Sequence, residues 1–126
     1  MSDTRILKTK WFQRFARRER ISDATLREAI ARIKQGQIDS NLGGGVIKQR
    51  IARPAQGKSG GYRTIVLFRQ GRLAVFMYGF AKSERDNIRV DEERAFKEAA
   101  KHVLALTGKQ IDDLVQSGEF VEVAQR

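Results

Sequence analysis

One hairpin limits what this chain can fold into more than any other feature. Residues 62–69, YRTIVLFR, and residues 72–80, RLAVFMYGF, are rich in β-branched and aromatic side chains, and only Gln70 and Gly71 separate them. A tight connection containing glycine returns the chain on itself, because glycine takes the left-handed backbone of such a turn without steric cost. Two strands held this way expose apolar side chains that need a cover.

The flanking segments supply it. Residues 8–20 read as a helix with Trp11, Phe12 and Phe15 on one face and Lys10, Arg14, Arg17 and Arg18 over much of the rest. Ser22 is placed to cap a second helix, in which Leu26, Ile30 and Ile33 recur at helical spacing and Gly36 ends the run. After Gly43, Gly44 and Gly45, β-branched Val46, Ile47 and Ile51 interleave with polar residues until Pro54, which marks a further strand. Beyond the hairpin, Asp91, Glu92 and Glu93 suit a helix start, with Phe96, Ala100, Val103 and Leu104 as its apolar stripe. Thr107 and Gln110 form a capping box opening a last helix with Ile111, Leu114 and Val115 inward and Gly118 at its end; residues 119–123 alternate as a short edge strand would. The expected fold is α+β within one domain spanning residues 1–126: an N-terminal helical hairpin over about 8–36, packed on a small antiparallel sheet over about 45–81, then C-terminal helices over about 90–118.

Charge says what such a fold meets. The chain carries a net charge of +10, and residues 40–83 contain no aspartate or glutamate but hold Lys48, Arg50, Arg53, Lys58, Arg63, Arg69, Arg72 and Lys82. Surfaces built for solubility mix signs, so an unmixed block points to a polyanion, with nucleic acid ahead of a membrane surface. The longest apolar run, residues 73–81, falls far short of a bilayer span and the N-terminus has no apolar core of a signal peptide, so a soluble cytoplasmic protein is expected. There is no cysteine and His102 is the only histidine, which removes thiolate catalysis, cysteine-containing zinc sites and two-histidine chemistry.

Within the block, strand parity and loop position separate the residues. Lys48 and Arg50 are two apart and share a strand face, while Ile47 and Ile51 point the other way. Residues 55–61, AQGKSGG, form a polar, glycine-rich connection carrying Lys58, and Arg63 stands at its mouth, where a guanidinium fork suits two phosphate oxygens. A turn glycine set with Arg63 paired to a helix carboxylate is an equal alternative. Tyr78 and Phe80 share a face with Lys82 just beyond, an arrangement suited to stacking unpaired bases; a core role is the better reading for Phe76. Arg53, Arg69 and Arg72 read as contributors to field and solubility.

The run GGGVIKQRIARPAQGKSGGYRTIVLF, followed by a strand ending in MYGFAKSERDNI, resembles the RelE/ParE superfamily of bacterial toxins, and within it the HigB-like branch. The resemblance is closest over residues 29–88; the outer helices agree in order and length. It implies the toxin of a type II toxin–antitoxin system, an endoribonuclease that cuts messenger RNA on the ribosome and inhibits translation. It implies a cognate antitoxin as partner, typically a helix-turn-helix protein through which operator DNA is bound indirectly, and no cofactor or metal. By position the family's basic site residues fall on Lys48, Arg50, Lys58, Arg63 and Lys82. Several ribonuclease members carry a tyrosine near the end of the hairpin strand, where this chain has Phe80; a phenylalanine transfers no proton, so that role passes to Lys82 or to Tyr78.

A site of arginine and lysine is chemically sufficient. The 2′-hydroxyl of RNA can itself attack the adjacent phosphorus, so the protein needs to supply geometry and positive charge around the phosphorane. Arg50 and Arg63 are the candidates for charge, Lys48 and Lys82 for proton transfer, Lys58 for positioning phosphate, and Tyr78 and Phe80 for contacting bases. Two other readings stand beside this one: a ParE-like inhibitor of DNA topoisomerase that catalyses nothing, and a non-toxic RNA-binding module.

Overall fold

The computed structural model describes residues 4–52 and 61–124. In chain order the elements are β1 (Arg5–Thr9), α1 (Lys10–Glu19), α2 (Asp23–Lys34), β2 (Ser40–Gly43), β3 (Val46–Ile51), β4 (Tyr62–Arg69), β5 (Leu73–Ala81), α3 (Val90–Val103), α4 (Gly108–Gln116) and β6 (Phe120–Glu122). The six strands form one sheet in the order β2-β3-β4-β5-β1-β6, antiparallel except where β1 runs parallel to β5.

The α+β class stands, but the expected order of elements does not. A strand precedes the helical hairpin, and the sheet extends beyond residues 45–81 through β1, β2 and β6. β1 is too short for a periodicity of its own. It lies between β5 and β6, sending Ile6 into one core and Leu7 into the other. β2 is the polar run Ser-Asn-Leu-Gly, held by backbone pairing and by the buried Gln49 amide, which donates to the Gln37 carbonyl and accepts from the Asp39 N–H. Both strands owe their form to partners distant in sequence.

Local signals set the remaining boundaries. The Thr9 side chain caps α1 by accepting from the Phe12 N–H, so that helix starts at Lys10 rather than residue 8. Ser22 caps α2, and Thr107 with Gln110 forms the reciprocal box at α4. Gly71, at φ +71°, makes the turn between β4 and β5.

Each face of the sheet has its own core. One face packs Ile47, Ile51, Tyr62, Val66, Ala74 and Phe76 against Phe12, Phe15, Leu26, Ile30 and Ile33 of α1 and α2. The other packs Leu7, Val46, Ile65, Leu67, Leu73 and Val75 against residues of α3 and α4 such as Phe96, Ala100 and Ile111. Arg69 and Arg72, expected to act through field and solubility, donate to the carbonyls of Leu104 and Leu106 just past α3, at 3.2 and 2.6 Å. There they satisfy acceptors that the end of a helix leaves open.

Candidate nucleic-acid site on the sheet

The register gathers residues from three strands. Lys48 lies opposite Ile65 and Arg50 opposite Arg63 across β3 and β4, while Arg63 lies opposite Phe80 and Ile65 opposite Tyr78 across β4 and β5. Directly opposed residues project from the same face, so Lys48, Arg50, Arg63, Tyr78 and Phe80 occupy one continuous area.

A bulge brings the aromatic pair there. Ile65 pairs with Tyr78 but the next residue, Val66, pairs with Phe76, which leaves Met77 as an extra residue in β5. Strict alternation would put Phe76, Tyr78 and Phe80 together. With the bulge, Phe76 enters the core under α1 and α2, and Tyr78 and Phe80 join the arginine face. Gly79 then points toward α1, where a Cβ would lie 2.6 Å from Phe15 Cε2. Only glycine lets α1 approach β5 this closely.

The basic residues differ in how they are held. Lys48 Nζ donates to Asn87 Oδ1 at 3.2 Å. Arg50 is well exposed and reaches Asp39 only at 3.9 Å. Arg63 is half-buried and has no hydrogen-bond or ion-pair partner among the described residues. Lys82 follows β5; its N–H donates to the Gly61 carbonyl at 3.1 Å, and its exposed ammonium has no partner among the described residues. Lys58 and Arg53 lie outside the described residues.

Phe80 is only 5% exposed, and the Arg85 guanidinium sits 5.5 Å from its ring centroid. Tyr78 is half-buried among Trp11, Phe80 and Phe96, with ring centroids at 4.6, 6.1 and 6.0 Å. Trp11 itself is 38% exposed at the rim.

Sequence reasoning missed Arg85, Asn87 and Glu92. Arg85 donates from Nε to the Asn87 carbonyl at 2.9 Å, from Nη1 to the Tyr78 hydroxyl at 2.9 Å and from Nη2 to Glu92 Oε1. The hydrogen bond from Arg85, joined by the Arg89 N–H, holds the Glu92 carboxyl below its ordinary range, and Glu92 in turn raises Arg85. In sequence Arg85 and Asn87 sit in the polar run after β5, which carries no periodicity and reads as a solvated turn, while Glu92 reads only as part of a helix start. The quoted MYGFAKSERDNI stretch was the available signal, since it contains both Arg85 and Asn87.

The face presents two opposed guanidiniums to an anion; Glu92 is engaged by Arg85, and Asp39 stands 3.9 Å from Arg50 itself. Among the described residues there is no cluster of histidine, aspartate or glutamate able to hold a metal ion, and no helix is long and apolar enough to cross a membrane. Compared with known families, residues 4–123 match the model described as the RelE toxin of the RelE/RelB toxin–antitoxin system, a match to that family as a whole. A search of curated proteins found no match.

Proposed function

This chain belongs to the RelE family of toxins, which implies a cognate RelB-type antitoxin as its partner, and we propose that it is a ribonuclease that cuts messenger RNA on the ribosome. The observation that carries this reading is the direct opposition of Arg50 and Arg63. Like charges facing each other across a strand pair destabilise the sheet, and a bound phosphate reverses that penalty. An arginine fork suits its planar oxygen pairs.

The 2′-hydroxyl oxygen of the substrate attacks the neighbouring phosphorus, the bond to the 5′-oxygen breaks, and a 2′,3′-cyclic phosphate and a 5′-hydroxyl result. The nucleophile belongs to the RNA. Arg63 and Arg50 supply positive charge to the non-bridging oxygens as charge builds on them, the kind of preorganised stabilisation that accounts for much of catalysis. Lys48, steadied by Asn87, and Lys82 at the far end of the face serve proton transfer and phosphate contact. Lys58 is assigned to positioning phosphate. Phe80 has no proton to give; under the Arg85 guanidinium it supports the site instead.

The test is to map message 5′ ends shortly after induced expression. New 5′-hydroxyl ends inside coding sequence, with immediate loss of protein synthesis, are expected. Intact messages with arrested replication would refute the reading in favour of a topoisomerase inhibitor, and unimpaired growth would refute it in favour of a non-toxic RNA-binding module.

A further inference from the structure

Trp11 is not the core residue that its place on the apolar stripe of α1 suggests. Phe12 and Phe15 of that stripe are buried, whereas Trp11 is 38% exposed and its indole N–H has no hydrogen-bond partner among the described residues. The reason is where β1 stops. β5 runs on to Ala81, but β1 ends at Thr9, whose hydroxyl donates to the Met77 carbonyl at 3.4 Å, so the chain turns into α1 beside an edge of β5 that β1 no longer covers. There the Trp11 ring centroid lies 4.6 Å from that of Tyr78 and 5.4 Å from that of Phe15. Because Tyr78 also meets Phe80, the rings form one row from α1 onto the arginine face, with a guanidinium at each end: Arg18 is 5.6 Å from the Phe15 centroid and Arg85 is 5.5 Å from that of Phe80. Trp11 is the most exposed ring of the row.

The surface beside it is cationic. Lys10, Arg14 and Arg17 recur at i, i+4 and i+7 on α1, next to Trp11 on the helix. All three are exposed, and none has a hydrogen-bond or ion-pair partner among the described residues. The one acid of α1, Glu19, accepts from the Tyr62 hydroxyl and pairs with Arg18. Free cations beside an open indole are the parts that hold an unpaired strand, charge for its backbone and a ring for a base. A duplex would engage the cations but keeps its bases stacked inside, out of reach of the indole.

We propose that Trp11 and the Lys10–Arg14–Arg17 face of α1 form a second surface for single-stranded RNA, continuous with the candidate site, on which Trp11 contacts a nucleobase of the strand that lies across Arg50 and Arg63. This rests on the messenger RNA reading of that site. A base held at Trp11 helps to set which phosphate of the strand meets the arginines.

Trp11 is the only tryptophan of the chain, so its emission reports the contact directly. The intact protein is titrated at low salt with an unpaired RNA oligomer that is 2′-O-methylated throughout and cannot be cut. Parallel titrations use its duplex, inorganic polyphosphate, and oligomers in which an abasic unit replaces each nucleotide in turn. The unpaired RNA should change the emission at saturation, polyphosphate and duplex should bind without doing so, and an abasic unit at one or two positions should abolish the change. Trp11→Leu should weaken binding of the unpaired RNA about tenfold, as loss of a base–aromatic contact does, and an abasic unit at those positions should then cost nothing further. Arg14→Ala should lower the salt slope by about 0.7, the share of one single-stranded phosphate contact. Emission unmoved by saturating RNA, an equal change with polyphosphate or duplex, wild-type affinity in Trp11→Leu, an unchanged slope in Arg14→Ala, or no RNA binding at low salt overturns the proposal. Should Trp11→Leu fail to fold, the wild-type emission and the abasic scan decide. No step requires cleavage, so these results stand apart from the mapping of message 5′ ends, which decides the ribonuclease reading.

Discussion

Replacing Arg63 by glutamine should make the protein more stable and less active at once. Arg63 and Arg50 face each other across β3 and β4, and Arg63 has no carboxylate among the described residues to offset it. Opposed residues have Cβ atoms roughly 5 Å apart, and long side chains splay to separate charges by roughly 6 Å. At that distance two unit charges repel by about 0.7 kcal/mol in water and by about twice that at half the dielectric constant. The Arg50 side chain is 58% exposed and Arg63 is half-buried, so relief of about 1 kcal/mol, between the two figures, is the expectation. With an unfolding entropy of about 2.1 cal/mol/K per residue, that raises the melting temperature of a chain this size by about 4 °C.

The assay is thermal and urea unfolding of wild type, Arg63→Gln, Arg50→Gln and the double variant, each at low salt and near 1 M salt. Because the Debye length falls to about 3 Å at 1 M, the gain should vanish there. The double variant should gain less than the sum of the two single variants, since one repulsion is removed once. Cleavage by Arg63→Gln should fall about 10²-fold or more if the guanidinium stabilises the transition state. A variant that is less stable than wild type at low salt, or whose gain is unmoved by salt, refutes the reasoning and makes Arg63 a structural residue.

Other consequences are equally specific. Lys8 is almost fully buried, with its ammonium 2.7 Å from Asp23 Oδ1, so Asp23→Ala strands a buried charge and should cost about 3 kcal/mol in urea unfolding, whereas Lys8→Met with Asp23→Leu should recover most of it; a single-variant loss under about 1 kcal/mol would contradict that account. Burial raises the Asp23 carboxyl, but bonds from Lys8 and the Ala124 N–H, with the charges of Lys8 and Arg27, bring it below its ordinary range, and Glu92 is lowered by Arg85. A depressed carboxylate contributes stability above its unfolded pKa and loses it as pH falls through the folded value, so unfolding free energy should drop below about pH 4, and Asp23→Asn and Glu92→Gln should each flatten that drop; parallel profiles would argue otherwise. Gly79→Ala pushes a methyl into Phe15 and should cost about 1–3 kcal/mol by overpacking, with cleavage falling further than stability because Tyr78 and Phe80 flank the site; unchanged unfolding would mean that α1 yields freely.

The parts of this molecule readable in sequence are those fixed by neighbouring residues. Ser22, Thr107 with Gln110, Gly71 and the alternation in residues 46–51 each act within a few positions, and each element they mark is present. β1 and β2 were not readable, because neither has a pattern of its own and both exist through distant pairing. The site divides the same way. Lys48 with Arg50 follows from parity alone. Tyr78 and Phe80 were expected on a common face and share one, but which face depends on the bulge at Met77, and nothing in LAVFMYGFA marks the extra residue. Arg85 was invisible because its partners lie on β5, in the following turn and on α3, which only the fold brings together.

The distribution of carboxylates gives the clearest account of how the fold serves the site. On α3 and α4 the three lysines are each matched by an acid a turn away: Lys97 with Glu93, Lys101 with Glu98, Lys109 with Asp113. Such exposed pairs add little stability, but they leave those surfaces nearly neutral. Beside the site some acids are already taken, while Glu84 and Asp86 in the turn after β5 are exposed and form no ion pair among the described residues. Glu92 is held by Arg85 and Asp91 by Arg89, while Asp39 stands 3.9 Å from Arg50 at the outer edge. By engaging Glu92, Arg85 removes one carboxylate from competition for the neighbouring cations. A free acid there would form an internal salt bridge that an incoming phosphate would have to break. The bare stretch from residue 40 to 83 and the engagement of Glu92 beyond it thus have one physical consequence: Arg63, at the centre of the face, has no ion-pair partner among the described residues and is open to an anion.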